Sequence, residues 1–145
     1  AVEVIQECYR NEGPITRKNG GILYPEVAET LKKLSQEQPL FLISNCSPEY
    51  LNAFFDAHGL KSCFRDSACC IDAGTTKAGN IEKICREYGL RAPVYVGDTI
   101  MDYKAATDAH CSFIFAAYGF GDVLQARWRV AQFADLPALL PNVEI

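Results

Sequence analysis

Short apolar runs alternate with segments whose apolar residues recur at helical spacing, and this alternation continues along most of the chain. The apolar runs predict strands at 39–43, 67–71, 93–96 and 111–116, with a weaker one near 130–134. The intervening segments predict helices that start near Pro25, Ser47, Thr75 and Asp98, with a last one near Asp135. Strands that are apolar throughout are typical of parallel sheets covered by helices on both faces. The alternation therefore predicts an α/β fold, a three-layer parallel sheet with right-handed crossovers.

Composition narrows the class of protein further. A net charge of -4 without a basic cluster argues against binding to nucleic acid or to a membrane surface. No apolar run approaches the roughly 20 residues that a membrane span needs. The seven cysteines are irregularly spaced and include no Cys-x-x-Cys pair, which favours free thiols in a reducing, cytoplasmic location over a zinc site or a disulfide scaffold. Cys46, which follows a strand, is retained as a minor candidate for a catalytic thiol.

Ligands of open α/β sheets bind beyond the carboxyl ends of the strands, and the first such end carries Ser44 and Asn45. A small hydroxyl beside free backbone amides at the start of a helix is able to hold a phosphate oxygen. Turn and capping chemistry, which Ser47 would share, explains the same residues. Taken alone, this strand end favours the turn interpretation.

Lys77 is the second unusual residue, because it lies in the first turn of a predicted helix. A cation there opposes the helix dipole at a cost of roughly 0.3–1 kcal/mol. A nearby anion, either a phosphoryl group or an active-site carboxylate, would remove this cost. A solvated lysine whose stem bends away explains the position equally well.

Asp98 and Asp102 follow the strand at 93–96 and provide the strongest signal. If both belong to one helix, their like charges at this spacing destabilise it by roughly 0.2–0.5 kcal/mol unless they are neutralised. Mg²⁺ fits that role because it prefers carboxylate oxygens, keeps several waters and also binds substrate phosphate. Stabilisation by the helix dipole accounts for Asp98 but not for the pair. The pair therefore predicts a magnesium site.

Three stretches of sequence together resemble the haloacid dehalogenase-like (HAD) superfamily of hydrolases, and especially its phosphoglycolate phosphatase-like branch. They are Leu-Ile-Ser-Asn at 42–45, Gly-Thr-Thr-Lys-Ala at 74–78 and Val-Gly-Asp-Thr-Ile-Met-Asp at 96–102, which resemble the second, third and fourth motifs of that family. The similarity runs from about Tyr24 to Leu140. The resemblance implies a Rossmann-like core and Mg²⁺-dependent hydrolysis of a small phosphorylated metabolite.

The resemblance also implies a role for each candidate residue. Ser44 and the amides near Asn45 would bind the phosphoryl group. Lys77 would offset its charge and pin the carboxylate of the nucleophile. Asp98 would hold Mg²⁺, with Asp102 assisting either directly or through water.

The first motif of the family, an Asp-x-Asp pair that carries the nucleophile, has no counterpart here. The chain has eight aspartates, and no two are separated by a single residue. By resemblance, residues 1–23 match the end of the helical cap and its return linker, and residues 24–145 match a core that lacks its central nucleophile strand. An empty slot in the sheet would leave backbone groups unpaired at high cost. We expect a separate segment, a partner chain or a segment removed by proteolysis to fill it, and the chain alone to be inactive.

Two other classes of protein remain compatible with these residues. A non-catalytic HAD-like module would bind phosphate or another protein without turnover, and the missing nucleophile favours it. A receiver-like phosphoacceptor domain is weaker, because its acidic pair should follow the first strand.

Overall fold

The computed structural model describes residues 20–69 and 75–143. Parallel strands alternate with helices throughout these residues, which confirms the predicted α/β class. The described residues form two compact units. The first contains residues up to Leu23 and Leu31–Thr75, and the second contains Tyr24–Thr30 and the residues from Thr76 onward. The cap remnant predicted for residues 1–23 falls almost wholly outside the described residues, so that boundary stays a prediction.

The first unit contains a two-stranded parallel sheet. Its elements are α1 (Val27–Glu37, which begins within the second unit), β1 (Phe41–Ser44), α2 (Pro48–His58) and β2 (Asp66–Cys69), with a 3₁₀ turn at Lys61–Cys63. Strands β1 and β2 pair in parallel, and Ser44 lies opposite Cys69 at their carboxyl ends. As predicted, Ser47 caps α2 and Gly59 ends it in the left-handed conformation, with a φ of 64°.

The second unit contains a three-stranded parallel sheet in the order β3-β4-β5. Its elements are α3 (Lys77–Tyr88), β3 (Val94–Gly97), α4 (Ile100–Asp108), β4 (Ser112–Ala116), β5 (Trp128–Val130) and α5 (Leu136–Leu139). Short 3₁₀ turns at Phe133–Asp135 and Leu140–Asn142 flank α5. The central strand β4 has a strand on each side, and its last four residues are buried. A cluster around Phe113, Phe115 and Val123 forms the core beside it.

Several predicted positions differ from the observed ones. The last strand ends at Val130, where the predicted one begins, because its pairing with β4 stops opposite Ala116. Helix α4 starts at Ile100 and not at Asp98. Tyr88, which helical spacing predicts to face inward, is 37% exposed. It is the last residue of α3 and lies past the buried face that Ile81 and Ile84 provide.

The five described cysteines are free thiols, as predicted: Cys46, Cys63, Cys69, Cys85 and Cys111. A search of the helices in residues 20–69 and 75–143 found none with the length and apolar character that a membrane crossing requires.

Candidate active site

The loop between β3 and α4 separates the two acidic side chains of the predicted magnesium site. Thr99 is the N-cap of α4: its hydroxyl accepts a hydrogen bond from the Asp102 N–H at 3.2 Å, and the Asp102 carboxylate accepts one from the Thr99 N–H at 3.1 Å. This reciprocal capping box fixes the start of the helix at Ile100. Asp98 therefore precedes the helix. The repulsion expected for two carboxylates one turn apart in a helix does not apply here.

Asp102 lies inside the protein, with a relative exposure of 5%, and both of its carboxylate oxygens have partners. Oδ1 accepts a hydrogen bond from Lys77 Nζ at 2.5 Å. Oδ2 accepts one from the Thr99 hydroxyl at 2.7 Å as well as the one from its N–H. Burial alone raises the pKa of Asp102, but hydrogen bonds from Lys77 and Thr99 and the charge of Lys77 outweigh it. The pKa of Asp102 consequently lies below its ordinary value, so the residue is a carboxylate at neutral pH.

Gly97, the last residue of β3, makes room for Asp102. A Cβ at this position would lie 2.8 Å from Asp102 Cγ and 3.1 Å from its Oδ2. The strand backbone and the buried Asp102 carboxylate are closely packed, so they have no space to move apart and accommodate this Cβ. The glycine before Asp98 therefore allows Asp102 to fold back against the end of the strand.

Lys77 is the first residue of α3, directly after the N-cap Thr76. Of the two possibilities left open for Lys77, a nearby anion or a solvated side chain, the structure shows the anion, which is the Asp102 carboxylate. The Lys77 side chain is only 17% exposed, which excludes a freely solvated lysine. An ammonium group has three N–H donors, so this ion pair leaves donors for other anionic groups.

Asp98 has a different environment from Asp102. It is half-buried, and its Oδ2 accepts a hydrogen bond from the backbone N–H of Phe120 at 2.8 Å. Its Oδ1 accepts no hydrogen bond from the described residues. Tyr118 lies nearby: burial, followed by the charge of Asp98 and the neighbouring Tyr24, raises the pKa of Tyr118 to about 12. The Tyr118 hydroxyl therefore stays protonated at neutral pH.

Ser44 and Asn45 lie in the first unit, at the end of β1. The Ser44 hydroxyl oxygen accepts a hydrogen bond from the Cys46 N–H at 3.2 Å, and Ser47 caps α2 through the Tyr50 N–H at 3.3 Å. These are the local turn and cap contacts that the simpler interpretation predicts. Among the described residues, the Ser44 O–H donates no hydrogen bond, and Asn45 is exposed.

Four further residues belong to this region, although no role was predicted for them from the sequence: Thr99, Gly119, Phe120 and Gly121. Thr99 had a readable signal, because Thr-Ile-Met-Asp at 99–102 has the spacing of a capping box. Gly-Phe-Gly at 119–121 follows a strand, but nothing in its sequence shows that it reaches Asp98.

The oxygen donors of this region fit Mg²⁺ in a limited way. Within residues 20–69 and 75–143, no group of three or more His, Cys, Asp or Glu side chains is arranged to hold a metal ion. Mg²⁺ is commonly held by one or two carboxylates together with water and substrate phosphate. A half-exposed Asp98 with one oxygen available is suited to that type of binding.

Comparisons with known proteins show which family and which solved structures this chain is similar to. A family model described as "Hydrolase: haloacid dehalogenase-like hydrolase" matches residues 1–110. A predicted phosphoglycolate phosphatase from Haemophilus somnus 129PT is similar in structure, with a TM-score of 0.75 and 25% identity. The similarity covers 82% of this chain and 57% of that protein.

Two other solved structures share the fold. A haloacid dehalogenase-like family protein from Streptococcus pneumoniae has a TM-score of 0.73 at 19% identity, covering 81% of this chain and 60% of that one. An L-2-haloacid dehalogenase from Xanthobacter autotrophicus has a TM-score of 0.71 at 16% identity, covering 83% and 62%. The chain thus spans less than two thirds of the length of these proteins. No curated protein matches it.

Proposed function

The chain belongs to the haloacid dehalogenase-like hydrolase family, and on this premise we propose that it is part of a Mg²⁺-dependent phosphomonoester hydrolase that acts on a small phosphorylated metabolite. One observation carries the proposal. At the end of β3 a partly buried Lys77–Asp102 ion pair lies in the same unit as Asp98, whose carboxylate keeps one oxygen that no described residue uses. A fixed cation and an available carboxylate within one unit suit an anionic substrate that arrives with a divalent metal.

The two aspartates have separate roles in this proposal. Asp98 offers Oδ1 to Mg²⁺, which when bound neutralises charge on phosphoryl oxygens. Both oxygens of Asp102 already have partners in Lys77 and Thr99, so its contribution is to hold Lys77 in place. Of the two modes considered for Asp102, direct ligation or assistance from a distance, this arrangement supports the second.

Lys77 acts as a preorganised cation. One of its N–H donors is used by Asp102, which fixes the direction of the remaining two. These donors are available to a phosphoryl oxygen or to the carboxylate of the nucleophile. Fixed charges of this kind contribute a few kcal/mol to transition-state stabilisation, because no reorganisation is needed during the reaction.

The role proposed for the first unit, binding of the phosphoryl group, comes from its resemblance to the family. The family pattern assigns Ser44 and the backbone amides near Asn45 to the phosphoryl group. The Ser44 oxygen already accepts from Cys46, so the hydroxyl would act through its own O–H, as a donor to a phosphoryl oxygen.

The nucleophile is proposed to come from outside residues 1–145. An aspartate in a segment upstream of this chain, or in a partner chain, would attack phosphorus and form an aspartyl-phosphate. The same segment would fill the slot that the family pattern places in the sheet. On this proposal the 145-residue chain alone has no turnover, and its cytoplasmic location stays a prediction.

Hydrolysis of an aryl phosphate by the chain, with and without Mg²⁺ and with and without the upstream segment, tests this function. We expect turnover only when both are present, and we expect Asp98→Asn to abolish it. Robust activity of the pure chain would mean that a residue of this chain attacks phosphorus. Phosphate binding without turnover, even with the upstream segment, would support the non-catalytic module that the absence of Asp-x-Asp favours.

A further inference from the structure

The loop from Gly119 to Gly121 closes over Asp98 with its backbone and not with a side chain. The Phe120 N–H donates to Asp98 Oδ2 at 2.8 Å, across 22 residues of sequence. The Phe120 ring is 94% exposed. Packing of the ring therefore does not hold the loop here, and its contact with Asp98 is the backbone hydrogen bond.

The loop backbone lies so close to Asp98 that only glycine fits at positions 119 and 121. A Cβ at Gly119 would overlap the Asp98 side chain, including Cγ at 2.6 Å. A Cβ at Gly121 would overlap the Asp98 carbonyl oxygen and lie 3.2 Å from Thr99 Cα. The nearest atom is the Asp98 Cβ at Gly119 and a backbone oxygen at Gly121, and neither is able to swing aside, so an alanine at either position would push the loop away from Asp98.

The loop is anchored at both ends, so its backbone is a fixed hydrogen-bond donor to Asp98. On one side the Gly119 N–H donates to the Ala116 carbonyl at 3.0 Å, directly after β4. On the other side Val123 is fully buried in the core of the second unit. The position of the Phe120 N–H is therefore set by the sheet.

We propose that Gly119-Phe120-Gly121 is a positioning segment that fixes the Asp98 carboxylate so that Oδ1 alone faces a divalent cation. The inference rests on the proposed function, because it assumes that Asp98 binds the metal. Mg²⁺ demands near-ideal octahedral geometry, which one carboxylate oxygen satisfies more readily than two from the same group. Carboxylates that bind metals are typically held by hydrogen bonds of this kind, and the loss of such a partner typically lowers metal affinity by about 10–100-fold.

The hydrogen bond is tested first, without metal. In the ¹⁵N–¹H spectrum of the chain, the Phe120 amide proton should lie downfield and should shift strongly upfield in Asp98→Asn. A Phe120 amide that does not respond to this substitution overturns the inference.

Metal binding by the same chain is then measured with Mn²⁺, whose paramagnetic broadening of the amide signals near Asp98 detects even weak binding. We expect Gly119→Ala to weaken Mn²⁺ binding by at least about tenfold. Gly79→Ala is the matched control, because it adds a methyl group within a helix of the same unit, with a single contact at 3.3 Å. If Gly119→Ala does not fold, Gly121→Ala replaces it, since its clash is with backbone atoms.

The outcomes separate the inference from the proposed function. Weakened binding in Gly119→Ala, with normal binding in Gly79→Ala, supports the inference. Unchanged binding in Gly119→Ala, with normal binding by the unsubstituted chain, overturns the inference and leaves the proposed function standing. Absence of broadening near Asp98 in the unsubstituted chain overturns the metal role of Asp98 and the inference with it.

Discussion

The carboxyl ends of β1 and β3 carry polar residues that are held in place in different ways. At the end of β1 the hydrogen bonds are local, since Ser44 and Cys46 are two residues apart and Ser47 and Tyr50 are three apart. At the end of β3, Asp98 binds a residue 22 positions away and Asp102 binds Lys77, 25 positions away. The first arrangement requires only one turn of chain. The second requires α3, β3, α4 and the loop after β4 to be folded together.

This difference has an energetic consequence. The β1 end uses neutral groups and caps, whose loss typically costs about 1 kcal/mol. The β3 end contains a buried carboxylate, and a buried charge that loses its partner is far more costly. The stability of the second unit should therefore depend strongly on contacts at the candidate site, and the stability of the first should not.

The largest expected effect comes from Lys77→Ala, which leaves the buried Asp102 carboxylate without its cation. We expect the free energy of unfolding to fall by about 2–3 kcal/mol, less than for a fully buried pair because the Thr99 hydrogen bonds remain. Chemical denaturation measures this. Lys83→Ala is the control, because it breaks an exposed pair with Glu87 at 3.9 Å and should change stability by less than about 0.5 kcal/mol. Equal losses in the two variants would contradict a buried, stabilising pair.

Loss of the two helix caps should have a smaller effect and should separate the two strand ends. Thr99→Ala removes a cap of α4 and also a hydrogen bond to a charged buried group, so we expect a loss of about 2 kcal/mol. Ser47→Ala removes only a local cap of α2 and should cost about 1 kcal/mol. Thermal unfolding of both variants measures the difference. A larger loss for Ser47→Ala would reverse the comparison.

The smallest expected effect is a dependence on pH that only the β3 end should show. The pKa of Asp102 is lowered from the ordinary value of 3.8, so the carboxylate contributes stability that is present above this pH. The contribution is lost as the pH falls through the lowered pKa. The stability difference between the unsubstituted chain and Lys77→Ala should consequently shrink as the pH falls from 3.8 through the lowered pKa. If this stability difference stays constant over the range, the ion pair with Lys77 is not what lowers the pKa of Asp102.

Much of the fold was predictable because its signals are local. Ser47 and Gly59 bound α2, and Thr76 and Gly89 bound α3, as cap chemistry predicts. The apolar runs gave the strands to within a few residues. The start of α4 was misplaced by two residues, because Asp98 and Thr99 are both typical N-cap residues. The capping-box spacing of Thr99 and Asp102 favours Thr99, and their hydrogen bonds confirm it.

The assignment of the candidate site residues stays a prediction, and the sequence indicated their partners only in part. The position of Lys77 in a first turn was compatible with a nearby anion or with a solvated side chain, and the structure places the Asp102 carboxylate beside it. The sequence paired Asp102 with Asp98 because of their spacing. In the structure they have separate partners, since the capping box turns Asp102 inward and the loop after β4 donates a hydrogen bond to Asp98. Contacts across more than 20 residues leave no periodic signal in the chain.

The sequence by itself determined the α/β class, the bounds of most elements and the residue types at the strand ends, because apolar spacing, caps and glycine turns act over one or two turns of chain. Only the tertiary structure decided which carboxylate is buried and which is available. Burial and long-range hydrogen bonds set that choice, and both depend on elements that meet only when the sheet of the second unit has formed. The two aspartates are chemically identical in the sequence, and their surroundings in the folded chain make them different.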